Sequence, residues 1–174
     1  EAGQSMTTGT ANTLIGSETG DAITTGGSNV AVGMKALTTE TEGSTAVAVG
    51  YSALEAQNMG TGTANYNVAV GYKAGEAVTT AVNNTLIGGL SGDAITTGSN
   101  NTALGKSSLS AMTTGDSNVA IGINALASDT LGARNIAIGV GALDTQNFTT
   151  ATSVYNVAIG YDAGTAVTTG VGNT

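Results

Sequence analysis

The chain contains no cysteine, no histidine, no proline and no tryptophan. Without cysteine no disulfide framework can staple the fold, and without cysteine or histidine there is no thiolate or imidazole for a transition metal. The commonest catalytic bases and nucleophiles are missing with them. Aromatic residues are scarce, one phenylalanine and five tyrosines in 174 residues, so the core has to be built from small and medium aliphatic side chains. Basic residues are scarcer still. Lys35, Lys73, Lys106 and Arg134 stand against 12 acids, a net charge of −8. Nucleic-acid phosphates and anionic membrane surfaces both call for basic patches, so neither is a fitting partner. No apolar run approaches the roughly 20 residues that cross a bilayer, and no membrane insertion by this segment is expected. The sequence calls for no catalytic residue, no cofactor and no metal, and an enzyme is not expected.

Glycine is abundant, 27 residues, together with threonine, asparagine and serine. Such a composition also describes flexible linkers, and only periodicity separates the two. A motif of the form Asn-x-Ala-x-Gly recurs along the whole chain. Its glycines are Gly16, Gly33, Gly50, Gly71, Gly88, Gly105, Gly122, Gly139 and Gly160. The interval between successive glycines is 17, except twice, where it is 21. The chain therefore reads as about ten 17-residue rungs, two of them carrying four-residue insertions. Residues 44–75 align with 133–164 at a shift of 89, whereas Asn12–Gly16 aligns with Asn84–Gly88 at a shift of 72. The shifts differ by one rung. Residues 1–174 form a single array with blocks 1–71 and 72–160. Gain or loss of a whole rung suits a solenoid, in which each unit touches only its neighbours. The array is expected to be a segment of a longer fibre.

With each motif glycine as position zero, −3 and −1 are mostly Val, Ile or Thr, two residues apart on one face of a short strand. The strand is expected to bury that face, so that Ile121→Asp would place a charge in the core. Position −2 is Ala, or Leu at Leu14 and Leu86, facing the other way. The helical spacing of three and four is absent. Glycine then permits a sharp bend. Position +3 is always small. Position +4 is Gly or Leu, and +7 is apolar where +4 is Gly but polar where +4 is Leu (Glu40, Gln57, Asp129, Gln146); the rung of Gly105 alone has both Leu109 and Met112. This exchange reads as compensation, each rung delivering about one large side chain to a narrow, close-packed core. A Thr-Thr-Gly turn commonly follows. Asn at −4 then opens the next strand: Asn12, Asn29, Asn67, Asn84, Asn101, Asn118, Asn135 and Asn156. Stacked in register, these side chains are expected to bond from rung to rung as a ladder, interrupted once at Ala46. The fold class is all-β, a parallel β-solenoid.

The repeated NVAVG, NVAIG, NIAIG and NTALG motifs resemble the head repeats of trimeric autotransporter adhesins, the YadA-like β-roll. They are also similar to β-roll arrays of phage tail-fibre proteins. The resemblance covers the whole chain. It implies a left-handed roll, a homotrimer whose rolls pack side by side, and an extracellular place on a cell surface or virion fibre. It implies a host-surface receptor or glycan as a further partner. The rungs of this chain are longer than those typical of the bacterial heads.

The insertions at 58–66 and 147–155 carry Tyr66, Phe148 and Tyr155, much of the aromatic content. Loops on a rigid scaffold commonly hold binding sites. Asn58, Met59, Tyr66, Phe148 and Tyr155 are the expected contact residues. Asp21, Asp93 and Glu76 recur at one place in the rung and read as solvated turn acids rather than calcium ligands, because a rung supplies one at most. The expected function is a structural segment of an adhesin head or phage tail fibre. Two alternatives stand beside it: a self-assembling extracellular filament subunit without receptor role, and an ice-binding solenoid presenting its Thr-Thr column.

Overall fold

A 17-residue period requires every seventeenth residue to return to the same place in the coil. In the computed structural model of the protein it does; residues 1–60 and 63–174 are described. The three-residue strands are β1 (Thr13–Ile15), β2 (Val30–Val32), β3 (Val47–Val49), β4 (Val68–Val70), β5 (Thr85–Ile87), β6 (Thr102–Leu104), β7 (Val119–Ile121), β9 (Ile136–Ile138) and β11 (Val157–Ile159). Two-residue strands β8 (Gly132–Ala133) and β10 (Thr152–Ser153) lie at the second insertion. The nine longer strands make one parallel sheet in chain order. Within plain rungs each residue pairs with its counterpart one period on, as in Val119↔Ile136. Where a rung is longer the pairing still joins equivalent residues, as in Val47↔Val68 and Ile136↔Val157. The extra residues loop out and the register survives. The array is an all-β parallel solenoid, as the repeat predicts.

Three-residue strands leave most of each rung for turning, and the corners have a fixed chemistry. Position +2 is left-handed in rung after rung, as in Lys35 (φ 62°), Lys73 (φ 54°) and Ser107 (φ 56°). So is −5, as in Ser28, Asn100 and Ser117. At +4, Gly20, Gly75 and Gly92 have φ of 56–60°, and Leu37, Leu54, Leu109, Leu126 and Leu143 adopt the same conformation at 50–56°. Each left-handed leucine costs about 1–2 kcal/mol of backbone strain, which the burial of its side chain offsets. The corners are also paired along the rod: Lys35 N–H donates to Ser17 C=O at 3.0 Å and Gly20 N–H to Ala36 C=O at 3.0 Å. Rung-to-rung bonding thus continues through the bends, where buried backbone groups would otherwise lack partners.

The strand faces are the reverse of the expectation. The −2 residues Ala31, Ala48, Ala69, Leu86, Ala103, Ala120 and Ala137 have no exposed surface. Every residue at −3 and −1 is half-buried or exposed, Ile121 included. The interior of so narrow a coil has room there for a methyl group, or for a leucine where the adjacent +4 is glycine, opposite the equally buried +3 column, and the β-branched side chains stand outside. Ile121→Asp therefore does not bury a charge in the core.

The core beyond Ala consists chiefly of leucines at +4, Leu86 at −2, and Ile23, Val78, Ile95 and Met112 at +7. Compensation also crosses rungs. A Cβ on Gly75 would lie 2.8 Å from Leu86 and 3.0 Å from Leu54, side chains of the two neighbouring rungs. The polar +7 residues Glu40, Gln57, Asp129 and Gln146 are not turned out to water; all four are fully buried.

Candidate docking face and contact loops

The outward sheet face is the largest candidate surface. Two columns, −3 and −1, run its length with β-branched or aliphatic side chains and a few threonines. Their exposure is greatest at Ile15 (60%) and Ile159 (67%), and substantial at Leu104 and Ile136. Just past the motif glycine, column +1 adds exposed Met34, Tyr51, Tyr72, Ile123, Val140 and Tyr161. Tyr51 and Tyr72, one rung apart, stack with ring centroids at 5.5 Å and an interplanar angle of 14°. In-register stacking brings them together, because identical positions on neighbouring rungs lie roughly 4.8 Å apart. The sequence shows the residues, but their sidedness emerges only once −2 is known to face inward.

Charge borders the face at its edge. Lys73 lies 5.8 Å from the Tyr72 ring centroid and 2.9 Å from Glu76, and Lys35 is 3.8 Å from Glu55. The hydrogen bond and charge of Glu76 hold the Lys73 ammonium above its ordinary range. These exposed pairs contribute little stability. At the rung position that Glu76 occupies, burial pushes the Asp93 carboxyl upward. Asp93 and Asp21 are half-buried rather than fully solvated, and each has one buried oxygen without a hydrogen-bond partner. Among the described residues no three acids come together to hold a metal ion.

The asparagine column is continuous and buried from Asn29 onward, apart from Ala46. Its bonding is chiefly side chain to backbone. Asn84 Oδ1 accepts the Asn101 N–H at 2.9 Å, and Asn84 Nδ2 donates to Gly98 C=O at 2.9 Å. Asn101 repeats this with Asn118 N–H and Gly115 C=O. Direct amide-to-amide links are a minority, as in Asn118 Nδ2 to Asn101 Oδ1 at 3.2 Å. Each Asn thus ties one rung's strand entry to the next rung's turn. At the Ala46 gap, Asn65 from the insertion takes over and its Oδ1 accepts the Asn67 N–H at 3.0 Å. Asn65 is not legible as part of the column, because it lies two residues out of phase.

The insertion loops rejoin the rod through parallel pairing with the preceding rung, Ser44↔Ala64 in one and Thr152↔Gly132 in the other. Thr61 and Gly62, within the first loop, lie outside the described residues. Tyr66 (62%) and Tyr155 (57%) are exposed, and Arg134 lies 5.6 Å from the Tyr155 ring centroid. Asn58 is exposed and Met59 half-buried. Phe148 is a correction: at 7% exposure it is a buried foot of its loop and not a contact residue. Five rungs separate the loops, roughly 24 Å along the rod, so they form two equivalent sites rather than one.

The Thr-Thr column is partly committed to the coil. Thr24, Thr79, Thr96 and Thr113 donate their hydroxyls to carbonyls one rung on, at 3.0–3.2 Å. No family model matches the chain, and no curated protein or solved structure does either.

Proposed function

We propose that the chain is a structural segment of an extracellular fibre, of the kind found in adhesin heads and phage tail fibres, and that it has no catalytic role. Stacked rungs give length and stiffness. Three rolls lie side by side around the fibre axis with their apolar sheet faces turned toward one another. The exposed tyrosines of the two loops offer a place for a host-surface receptor or glycan to attach.

The observation that carries this reading is the outward column pair. A rod that stayed single in water would leave a strip of half-buried to exposed Val, Ile, Leu and Tyr, broken by a few Thr, open to solvent along nine strands, and such strips mark association surfaces. The commitment of Thr24, Thr79, Thr96 and Thr113 to rung-to-rung bonds speaks for a stacking role over an ice-binding one.

Light scattering of the purified chain tests the proposal. A particle of about three times the 16.8 kDa chain mass is expected. A stable single chain would overturn lateral packing, and open-ended growth would favour the filament-subunit reading.

A further inference from the structure

A carboxylate sealed from water needs hydrogen-bond donors on both oxygens. Glu40, fully buried, has them. Its Oε1 accepts the N–H groups of Thr41 (3.0 Å), Gly43 (2.7 Å) and Met59 (3.2 Å). Its Oε2 accepts from Gln57 Nε2 at 3.0 Å, and Gln57 Oε1 accepts from Asn67 Nδ2 at 2.9 Å. The relay begins in the rung before the first insertion and ends at the Asn where the strand resumes. The second block repeats it with the shorter acid. Asp129 Oδ1 accepts from Gly132 N–H and Phe148 N–H, both at 3.0 Å. Asp129 Oδ2 accepts from Gln146 Nε2 at 2.6 Å, and Gln146 Oε1 accepts from Asn156 Nδ2 at 2.7 Å.

The contact to Met59 and Phe148 falls at the point of departure. Asn58 and Asn147 still donate in the ordinary rung-to-rung way, to Thr79 and Thr168 C=O at 3.0 Å. The next N–H in each loop turns to the carboxylate instead. A glycine three residues after the acid is required by the same geometry, since a Cβ on Gly43 would lie 2.5 Å from the Glu40 carboxylate. Elsewhere +7 is apolar: Ile23, Val78, Ile95, Met112 and Val167. An acid and a glutamine at +7 of consecutive rungs occur twice, each time at one of the two long rungs.

We infer that this buried carboxylate–amide relay is the device that sets where a four-residue insertion leaves the rod and holds both of its ends. The loops are then anchored features of the roll. Their signature is Glu/Asp-Thr-x-Gly, a Gln-Asn pair whose Gln lies one plain rung after the acid, and an Asn ten residues beyond that Gln.

Amide hydrogen exchange on the full chain tests the inference, with each loop serving as the control for the other. Glu40→Gln is expected to raise exchange in 57–67 by roughly 10- to 100-fold, the loss of a charge-assisted hydrogen bond, and to leave 146–156 unchanged. Asp129→Asn gives the mirror image. Acceleration of both segments together, or of neither, overturns the inference. If these variants do not fold, the signature is written into a plain pair of rungs as Ile95→Glu, Met112→Gln and Thr113→Asn, with four residues inserted after position 113. Gly98 already stands three residues beyond position 95. Protected exchange on both sides of that insertion is expected only when the three substitutions accompany it. Equal exchange with and without them overturns the inference.

Discussion

Gly105→Ala is expected to lower the stability of the array by about 3 kcal/mol or more, read as a fall in the thermal or denaturant midpoint by circular dichroism. Two costs coincide there. The backbone sits at φ +138°, and holding another residue in so sparsely populated a region costs roughly 1–3 kcal/mol. The added Cβ would also lie 2.5 Å from the carbonyl oxygen and 2.6 Å from the carbonyl carbon of Gly122, in the next rung. Backbone cannot move aside without breaking the sheet register. Gly160 separates the two terms. Its φ is +135°, but a Cβ there meets only the Ala163 Cβ at 3.7 Å, an ordinary contact. Gly160→Ala should cost the strain alone. Equal effects at both positions would show that rung-to-rung approach is not what reserves this column for glycine.

Asn101→Ala is the second large effect, expected at roughly 2–5 kcal/mol. It strands two buried backbone groups, the Asn118 N–H and the Gly115 C=O. Each unsatisfied group costs about 1–3 kcal/mol. Asn101→Asp keeps an acceptor for Asn118 but turns a second oxygen toward the Gly115 carbonyl, so it should not rescue. Asn65→Ala should cost less, since Asn65 supplies one acceptor to Asn67 and its own Nδ2 is unpaired. A melting temperature unchanged by Asn101→Ala would show that the column is a turn preference and not a bonded spine.

The repeat makes the coil legible, because an in-register parallel sheet follows directly from a 17-residue period with β-branched pairs. The inward face is not legible in the same way. In most sheets a polar face points to water and betrays the other, but here −3, −2 and −1 are all largely apolar. Size is the usable clue: a tight coil keeps its alanines inside and its valines out. The left-handed leucines at +4 carry no local signal, since nothing in leucine's propensities favours a positive φ. Their alternation with glycine at the same position is the trace. Within a single rung, the +7 acids read only as polar substitutes for a core residue. Their meaning depends on N–H groups one rung away, which no period within a rung can show. Phe148 and Tyr155 look alike as loop aromatics, and only the carboxylate that receives the Phe148 N–H distinguishes foot from tip.

The claim on which the functional reading turns is that the β-branched face is the outside of a roll and the inside of an assembly. Ile121→Asp places one charge on that face, and its mass in solution is the direct measurement. A chain that retains the β circular dichroism of the native roll but falls from the assembled mass to about 16.8 kDa is the predicted result. An unfolded variant would return the face to the core, and a folded variant of unchanged mass would remove the face from the interface.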